Sequence, residues 1–144
     1  LMVHDYGPGH QVASLHVELP AELDPLDAHD LIDNIERDFL KKDGLMVTIH
    51  YDPIVTSDAA VGVLRSRLTE LLRQLDPALS LHDLRIVPGK THTNVLFDLV
   101  LPAGYKGDRV ELLTRLEQFI KAQDPTYSCI IKVEQSYTPA LNKM

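Results

Sequence analysis

The chain has 144 residues, 44% of them hydrophobic and 24% charged, which is the composition of an ordinary globular protein of one or two domains. No stretch reaches the roughly 18–20 consecutive apolar residues that a membrane-spanning helix needs. The formal net charge is −7 and the basic residues are scattered, so a surface that follows nucleic-acid phosphates is not expected. A single cysteine excludes an internal disulfide.

Alternating apolar residues predict three strands in the first third of the chain. Residues 1–3 would end a first strand, and the Gly-Pro-Gly sequence at 7–9 predicts a turn after it. Residues 12–19 and 45–53 both carry their apolar side chains at odd positions, so each predicts a strand with one buried face. Pro53 is predicted to end the third strand.

A helix is predicted between the second and third of these strands. Asp24 suits the N-cap, Pro25 suits the first helical position, and Gly44 suits the residue that ends a helix. Four apolar residues recur at helical spacing and predict the face that packs on the sheet: Leu31, Ile32, Ile35 and Phe39.

The rest of the chain predicts a second set of elements. A strong amphipathic helix covers residues 58–75, with Ser57 or Asp58 as its cap. The elements that follow are strands at 81–87 and 94–101, a helix at about 108–121, a strand at 128–133, and a tail that runs to residue 144.

The two sets share one order of elements, which indicates an internal duplication. The fold class predicted is α+β, with two ferredoxin-like (α-β-β-α-β) units in tandem, the first of which lacks its leading helix. The predicted boundaries are 1–53 for the first domain, 58–137 for the second and 138–144 for the tail. Alignment of the turns places Leu1 near Leu84, so the sequence is expected to begin inside a strand, with the helix and the strand's start lying upstream.

Histidine is concentrated in the first 50 residues, which hold five of the seven. His50 and Asp52 are two apart on a predicted strand, so both project from its polar face, as His16 does on its own strand. His29, near the start of the helix, could reach the end of the sheet. Three imidazoles and a carboxylate suit Zn²⁺ or a similar ion, and Asp33 could accept a hydrogen bond from His29 four residues earlier. The alternative interpretation is a solvated polar face without a ligand.

Three short segments in order resemble the cytoplasmic C-terminal domain of cation diffusion facilitator transporters, which export Zn²⁺ and related divalent ions. They are VASLHVEL at 12–19, LDAHD at 26–30 and VTIHYDP at 47–53. The resemblance covers about residues 1–53 and implies that His16, His29, His50 and Asp52 bind metal. It also implies a homodimer that senses cytosolic metal, is not an enzyme, and lies at the cytoplasmic face of the cell membrane beneath the transmembrane part of the same parent chain.

The same resemblance qualifies the ligand set. The family's first-strand "HDL" sequence would place its Leu at Leu1, so its His, often a further ligand, would precede this sequence. His4 and His10 are therefore possible additional ligands. The ligand types admit Zn²⁺, Mn²⁺, Fe²⁺, Co²⁺, Ni²⁺ or Cd²⁺.

The second copy retains the "HDL" sequence at residues 82–84 but departs from the family elsewhere. Asp98 stands where His16 does, and Lys132 falls near the position of His50, where a positive charge opposes a metal ion. This copy is interpreted as a degenerate structural repeat, with His82, His92 and Cys129 as weak candidates for a second site.

Two other functions remain open from the sequence. A metal-dependent hydrolase could use the Asp52 and His ligands to activate water. A non-metal oligomerisation or small-molecule-binding module could have the same α+β architecture.

Overall fold

A computed structural model describes residues 1–136 of the chain. The chain divides into two compact units, Leu1–Ile54 (unit 1) and Val55–Met144 (unit 2). The tail predicted at 138–144 lies outside the described residues. No helix in the described part of the chain is both long enough and apolar enough to cross a membrane.

Unit 1 is a three-stranded sheet with one helix. Its elements are β1 (Met2–Asp5), β2 (Gln11–Pro20), α1 (Pro25–Asp43) and β3 (Met46–Ile54). The sheet order is β1-β2-β3, with β1 antiparallel and β3 parallel to β2. The β1–β2 turn needs glycine, since Gly7 and Gly9 both have positive φ angles, of 109° and 78°.

The ends of α1 match the sequence signals for them. Asp24 accepts a hydrogen bond from the Leu26 N–H at 2.8 Å, and Pro25 follows at the first helical position. Gly44 ends the helix in the left-handed conformation, with φ of 64°, and its N–H donates to the Leu40 carbonyl.

The core of unit 1 is small. Ile32 of α1 packs on one face of the sheet against three buried strand residues, Ala13, Val47 and Ile49. Half-buried odd-numbered residues of β2 and β3 extend this contact, so the predicted alternation of both strands is confirmed. A hydrogen bond also joins α1 to β3, because Glu36 Oε1 accepts from the Ile49 N–H at 2.7 Å.

The structure corrects two details of the predicted unit 1. Leu31 and Phe39 of α1 are exposed, whereas Ala28, which the sequence analysis left out, is buried. The helix therefore contacts the sheet along a narrower stripe than its apolar residues suggested. Pro53 does not end β3: the strand continues to Ile54, and a proline is tolerated there because β3 is an edge strand of its sheet.

Unit 2 repeats the arrangement and adds a leading helix. It consists of α2 (Ala59–Leu75), β4 (Ser80–Val87), β5 (Thr93–Leu101), α3 (Arg109–Gln123) and β6 (Tyr127–Gln135). The sheet order is β4-β5-β6, again with one antiparallel and one parallel pair. Its core of fourteen buried residues includes Leu68, Phe97 and Leu116, and is far larger than that of unit 1.

The predicted tandem of two ferredoxin-like units is confirmed. Unit 1 has the order β-β-α-β and unit 2 the order α-β-β-α-β, and within residues 1–54 no helix precedes β1. Strand register relates the copies residue by residue. His16 pairs with His50 across the parallel strands of unit 1, as Asp98 pairs with Lys132 in unit 2.

Candidate metal centre

Strand register brings two histidines side by side on the polar face of unit 1. His16 on β2 and His50 on β3 are direct partners in the parallel pairing. Both are even-numbered, so they point away from the face that α1 covers. Their ring centroids are 4.9 Å apart and their planes are tilted by 51°. The rings therefore meet because the alternation of both strands and their register agree.

Asp52 completes a group of three. It lies two residues after His50, hence on the same face, and its side chain is 21% exposed, whereas those of His16 and His50 are 74% and 66% exposed. Its Oδ2 is 3.5 Å from His16 Nδ1, and its Oδ1 is 3.2 Å from His50 Nε2. One carboxylate thus contacts both rings, each through a different oxygen.

The spacing of these atoms suits a shared cation. Ligand atoms of all three residues lie within 4.8 Å of one another. Tetrahedral Zn²⁺ with bonds of about 2.1 Å holds its ligand atoms roughly 3.4 Å apart. The two contacts of Asp52 are close to that separation, so small rotations of exposed side chains would bring the ligands into position. Two imidazoles and a carboxylate are a donor set that Zn²⁺ and similar borderline ions accept.

His29 is not among these three residues. It is exposed in the first turns of α1, which packs on the opposite face of the sheet. Asp33, predicted to hold the His29 ring, instead accepts from Arg37, with Oδ2 2.8 Å from Nε. The ligand role of His29 and the orienting role of Asp33 remain predictions.

The two possible additional ligands also lie apart from the group. His4 is on β1, where it pairs with Val12 and stacks on Tyr6 with ring centroids 6.3 Å apart. His10 is in the β1–β2 turn, and its Nδ1 is 3.1 Å from the Pro8 carbonyl oxygen. Neither belongs to a ligand group found among the described residues.

Sequence reasoning missed one acidic neighbour of the group. Glu18 pairs with Asp52 in the β2–β3 register and is exposed on the same face. The alternation that selected His16 also selects Glu18, two residues later, so the signal was present.

Unit 2 holds a different group at the equivalent position. Ligand atoms of His82, Asp83 and Asp98 lie within 4.8 Å of one another. Lys132, the register partner of Asp98, directs its Nζ to Asp98 Oδ2 at 3.4 Å and to Glu134 Oε1 at 2.5 Å. These carboxylates raise the pKa of Lys132, and the ammonium lowers the pKa of Glu134. The spacing of Lys132 and Glu134 repeats that of His50 and Asp52, a signal that the sequence analysis overlooked for Glu134.

The other weak candidates in unit 2 do not join this group. His92 lies between β4 and β5, where Thr91 Oγ1 is 3.0 Å from its Nδ1. Cys129 packs against the core on the other face of the sheet, and burial raises the pKa of its thiol to about 12. A thiol held in its protonated form is a poor metal ligand.

Comparison with known proteins finds one family that resembles the first unit. Residues 1–54 match the family described as "Cation efflux protein, cytoplasmic domain". The matched segment ends where unit 1 ends. Neither the curated proteins nor the solved structures gave a match to the chain.

Proposed function

We propose that unit 1, whose residues match the cytoplasmic domain of cation efflux proteins, binds a divalent metal ion and thereby regulates an efflux transporter. The observation that carries the proposal is the group formed by His16, His50 and Asp52, whose ligand atoms lie within 4.8 Å of one another on the exposed sheet face. The family description names a transporter's domain and not an enzyme, which agrees with a regulatory role.

The residues of the group fit a borderline divalent ion. Two neutral imidazoles and one carboxylate give a bound divalent ion a net charge of about +1, which an exposed site tolerates in water. Zn²⁺ is the first choice, and Mn²⁺, Fe²⁺, Co²⁺, Ni²⁺ and Cd²⁺ are the alternatives that the same donors accept. Three protein ligands leave at least one position for a further ligand.

We propose that His29 of a second copy supplies this further ligand. Within one chain α1 lies on the far side of the sheet from His16 and His50, so His29 of the same chain is badly placed to join them. A two-fold homodimer would exchange the residue reciprocally and form two equivalent sites. Metal would then favour the paired arrangement by its difference in affinity between the paired and separate states.

The proposed setting is the cytoplasmic face of the cell membrane. There the domain would hang beneath the transmembrane part of the same parent chain, and cytosolic metal would reach its exposed sheet face. A rise in metal concentration would shift the population of dimers toward the metal-bound pairing, and the transmembrane part would respond to that shift.

Calorimetric titration of the full chain with Zn²⁺ tests the ligand assignment. The wild type is expected to bind, and His50→Ala and Asp52→Ala are each expected to weaken binding by roughly 10-fold or more, since each removes a ligand. His10→Ala is the matched control, because it removes an exposed imidazole of the same unit that lies outside the group. Wild-type affinity retained by both ligand variants would reject the site. Hydrolysis of phosphoester or amide substrates by the zinc-bound protein would favour a metallohydrolase instead.

Sedimentation equilibrium with and without Zn²⁺ tests the role of His29. The wild type is expected to associate more strongly with metal, and His29→Ala is expected to abolish that metal dependence while a weaker metal site remains in each monomer. Metal-dependent association that survives in His29→Ala would show that this residue is not the shared ligand.

A further inference from the structure

The two sheets carry different groups of ionisable side chains at one equivalent position. In unit 1, His16 on β2 faces His50 on β3, and Asp52 follows two residues later. In unit 2 the register puts Asp98, Lys132 and Glu134 at those same three places. On the neighbouring strand of unit 2, His82 of β4 pairs with Asp98. Both groups therefore lie on the polar face of a three-stranded sheet, at matching points of the pairing.

The Lys132 ammonium contacts Asp98 of this second group and Glu134 beside it. Its Nζ is 2.5 Å from Glu134 Oε1 and 3.4 Å from Asp98 Oδ2. The other Glu134 oxygen, Oε2, is 3.7 Å from His82 Nε2, and His82 Nδ1 is 3.2 Å from Asp83 Oδ2. The ammonium thus contacts two carboxylates, those of Asp98 and Glu134. His82 lies beside the second of these and also contacts Asp83.

Asp98 depends most on the ammonium because its carboxylate is buried. This side chain is only 12% exposed, and Asp98 is the one charged residue among the buried residues of the described chain. A carboxylate so far removed from water needs a positive partner, and the Lys132 ammonium supplies one at 3.4 Å. In unit 1 the corresponding group has no lysine: its members are two imidazoles and one carboxylate.

We infer that unit 2 contains a latent divalent-cation site, formed by His82, Asp98 and Glu134, whose cation is the tethered ammonium of Lys132. The lysine holds the carboxylates in place without metal, and it excludes a divalent ion by occupying its position and by charge repulsion. Unit 2 is then a metal-independent copy of a fold whose first copy is proposed to respond to metal. All the residues of this latent site belong to unit 2, so the site does not depend on metal binding by unit 1.

Removal of the lysine charge tests this inference. The full chain is prepared with His16→Ala and His50→Ala, so that the unit 1 group cannot contribute, and Zn²⁺ binding is measured by equilibrium dialysis. This background is expected to bind no ion tightly. Addition of Lys132→His or Lys132→Gln is expected to create about one site per chain, with an affinity at least roughly tenfold above the background.

Two matched variants separate the latent site from general effects of charge. Lys132→Arg keeps the positive charge and is expected to leave the background unchanged. Lys121→Gln removes a positive charge from α3 of the same unit and is also expected to create no site. His82→Ala, added to Lys132→Gln, is expected to abolish the new site because it removes the imidazole ligand.

The outcomes decide the inference even if one variant folds poorly. Circular dichroism identifies an unfolded variant, and Lys132→Gln, which is close to lysine in size, carries the same test as Lys132→His. Folded variants that gain no Zn²⁺ would overturn the inference. The inference would also fail if the background bound Zn²⁺ tightly and His82→Ala removed that binding, because metal would then bind beside an intact Lys132. A gain that persists after His82→Ala would also overturn it.

Discussion

Truncation of Ile49 tests whether the small core of unit 1 limits its stability. Ile49 is only 9% exposed and packs on β3 beneath Ile32 of α1. Ile49→Ala deletes three buried carbons and leaves a cavity, at a cost of about 2–5 kcal/mol. A unit of 54 residues has a free energy of unfolding of only about 3–8 kcal/mol at the usual value per residue. One substitution is therefore expected to remove a large part of the stability of unit 1.

Hydrogen exchange followed by mass spectrometry measures this loss in each unit separately. A loss of about 2 kcal/mol corresponds to roughly 30-fold faster exchange of the most protected amides, since each 1.4 kcal/mol is a factor of about ten. Peptides from β2 and β3 are expected to show it, and peptides from β5 are not. Leu26→Ala is the control, because Leu26 is an apolar residue of the same unit that is 79% exposed.

Metal should reverse much of this loss if unit 1 binds it when folded. At Zn²⁺ equal to about 100 times its dissociation constant, linkage adds about 2.7 kcal/mol, which slows exchange by roughly 100-fold. The Ile49→Ala variant is expected to gain this protection, and Ile49→Ala combined with His50→Ala is not. Unchanged exchange in Ile49→Ala would refute the reasoning from core size, and equal protection by Zn²⁺ in the double variant would refute the linkage to His50.

Three further predictions follow from local features of the two units. Asp24→Ala removes the N-cap of α1 and is expected to lower the free energy of unfolding, measured with urea, by about 1 kcal/mol. Asp24→Ser should keep most of this stability because serine also caps helices. Burial raises the pKa of the Cys129 thiol to about 12, so the folded chain keeps this proton at a pH where the unfolded chain loses it. The free energy of unfolding should therefore fall as pH rises above about 9, and Cys129→Ala should lessen that fall. The Lys132 ammonium lowers the pKa of Glu134, so the pH dependence runs the other way. The ionised carboxylate should stabilise the fold at neutral pH, and this stabilisation should decline as acid protonates Glu134. Melting temperatures of the wild type and Glu134→Gln across pH measure the decline.

The sequence was sufficient to place the candidate metal ligands of the two strands on one face. Alternation over β2 and β3 is a local property with a period of two, and Ala13, Val47 and Ile49 are buried at the odd positions that it selects. Once those are buried, His16 and His50 must lie on the opposite face, where the structure finds both exposed.

The pairing of those strands required the structure. Alternation fixes the face of His16 but not the residue opposite it, and only the register puts His50 there.

The sequence also could not predict which apolar residues of the helix are buried. Leu31 and Phe39 have the right spacing, yet a single helix on a short sheet covers too little area to bury both. The partners of Asp33 and Lys132 depend on long side chains, whose directions a sequence pattern does not fix.

The unequal cores of the two units suit unequal roles for metal. Unit 2 buries fourteen core residues and is proposed to hold its own cation, Lys132, so its stability would not change with metal concentration. In unit 1 only four buried residues form the core cluster, and its exposed group would be filled only when metal is present. A bound ion adds free energy in proportion to the logarithm of its concentration above the dissociation constant, and this matters most for a fold of low stability. A small core is therefore an advantage in a sensor, because the few kcal/mol from one ion can then decide which arrangement of the unit is populated.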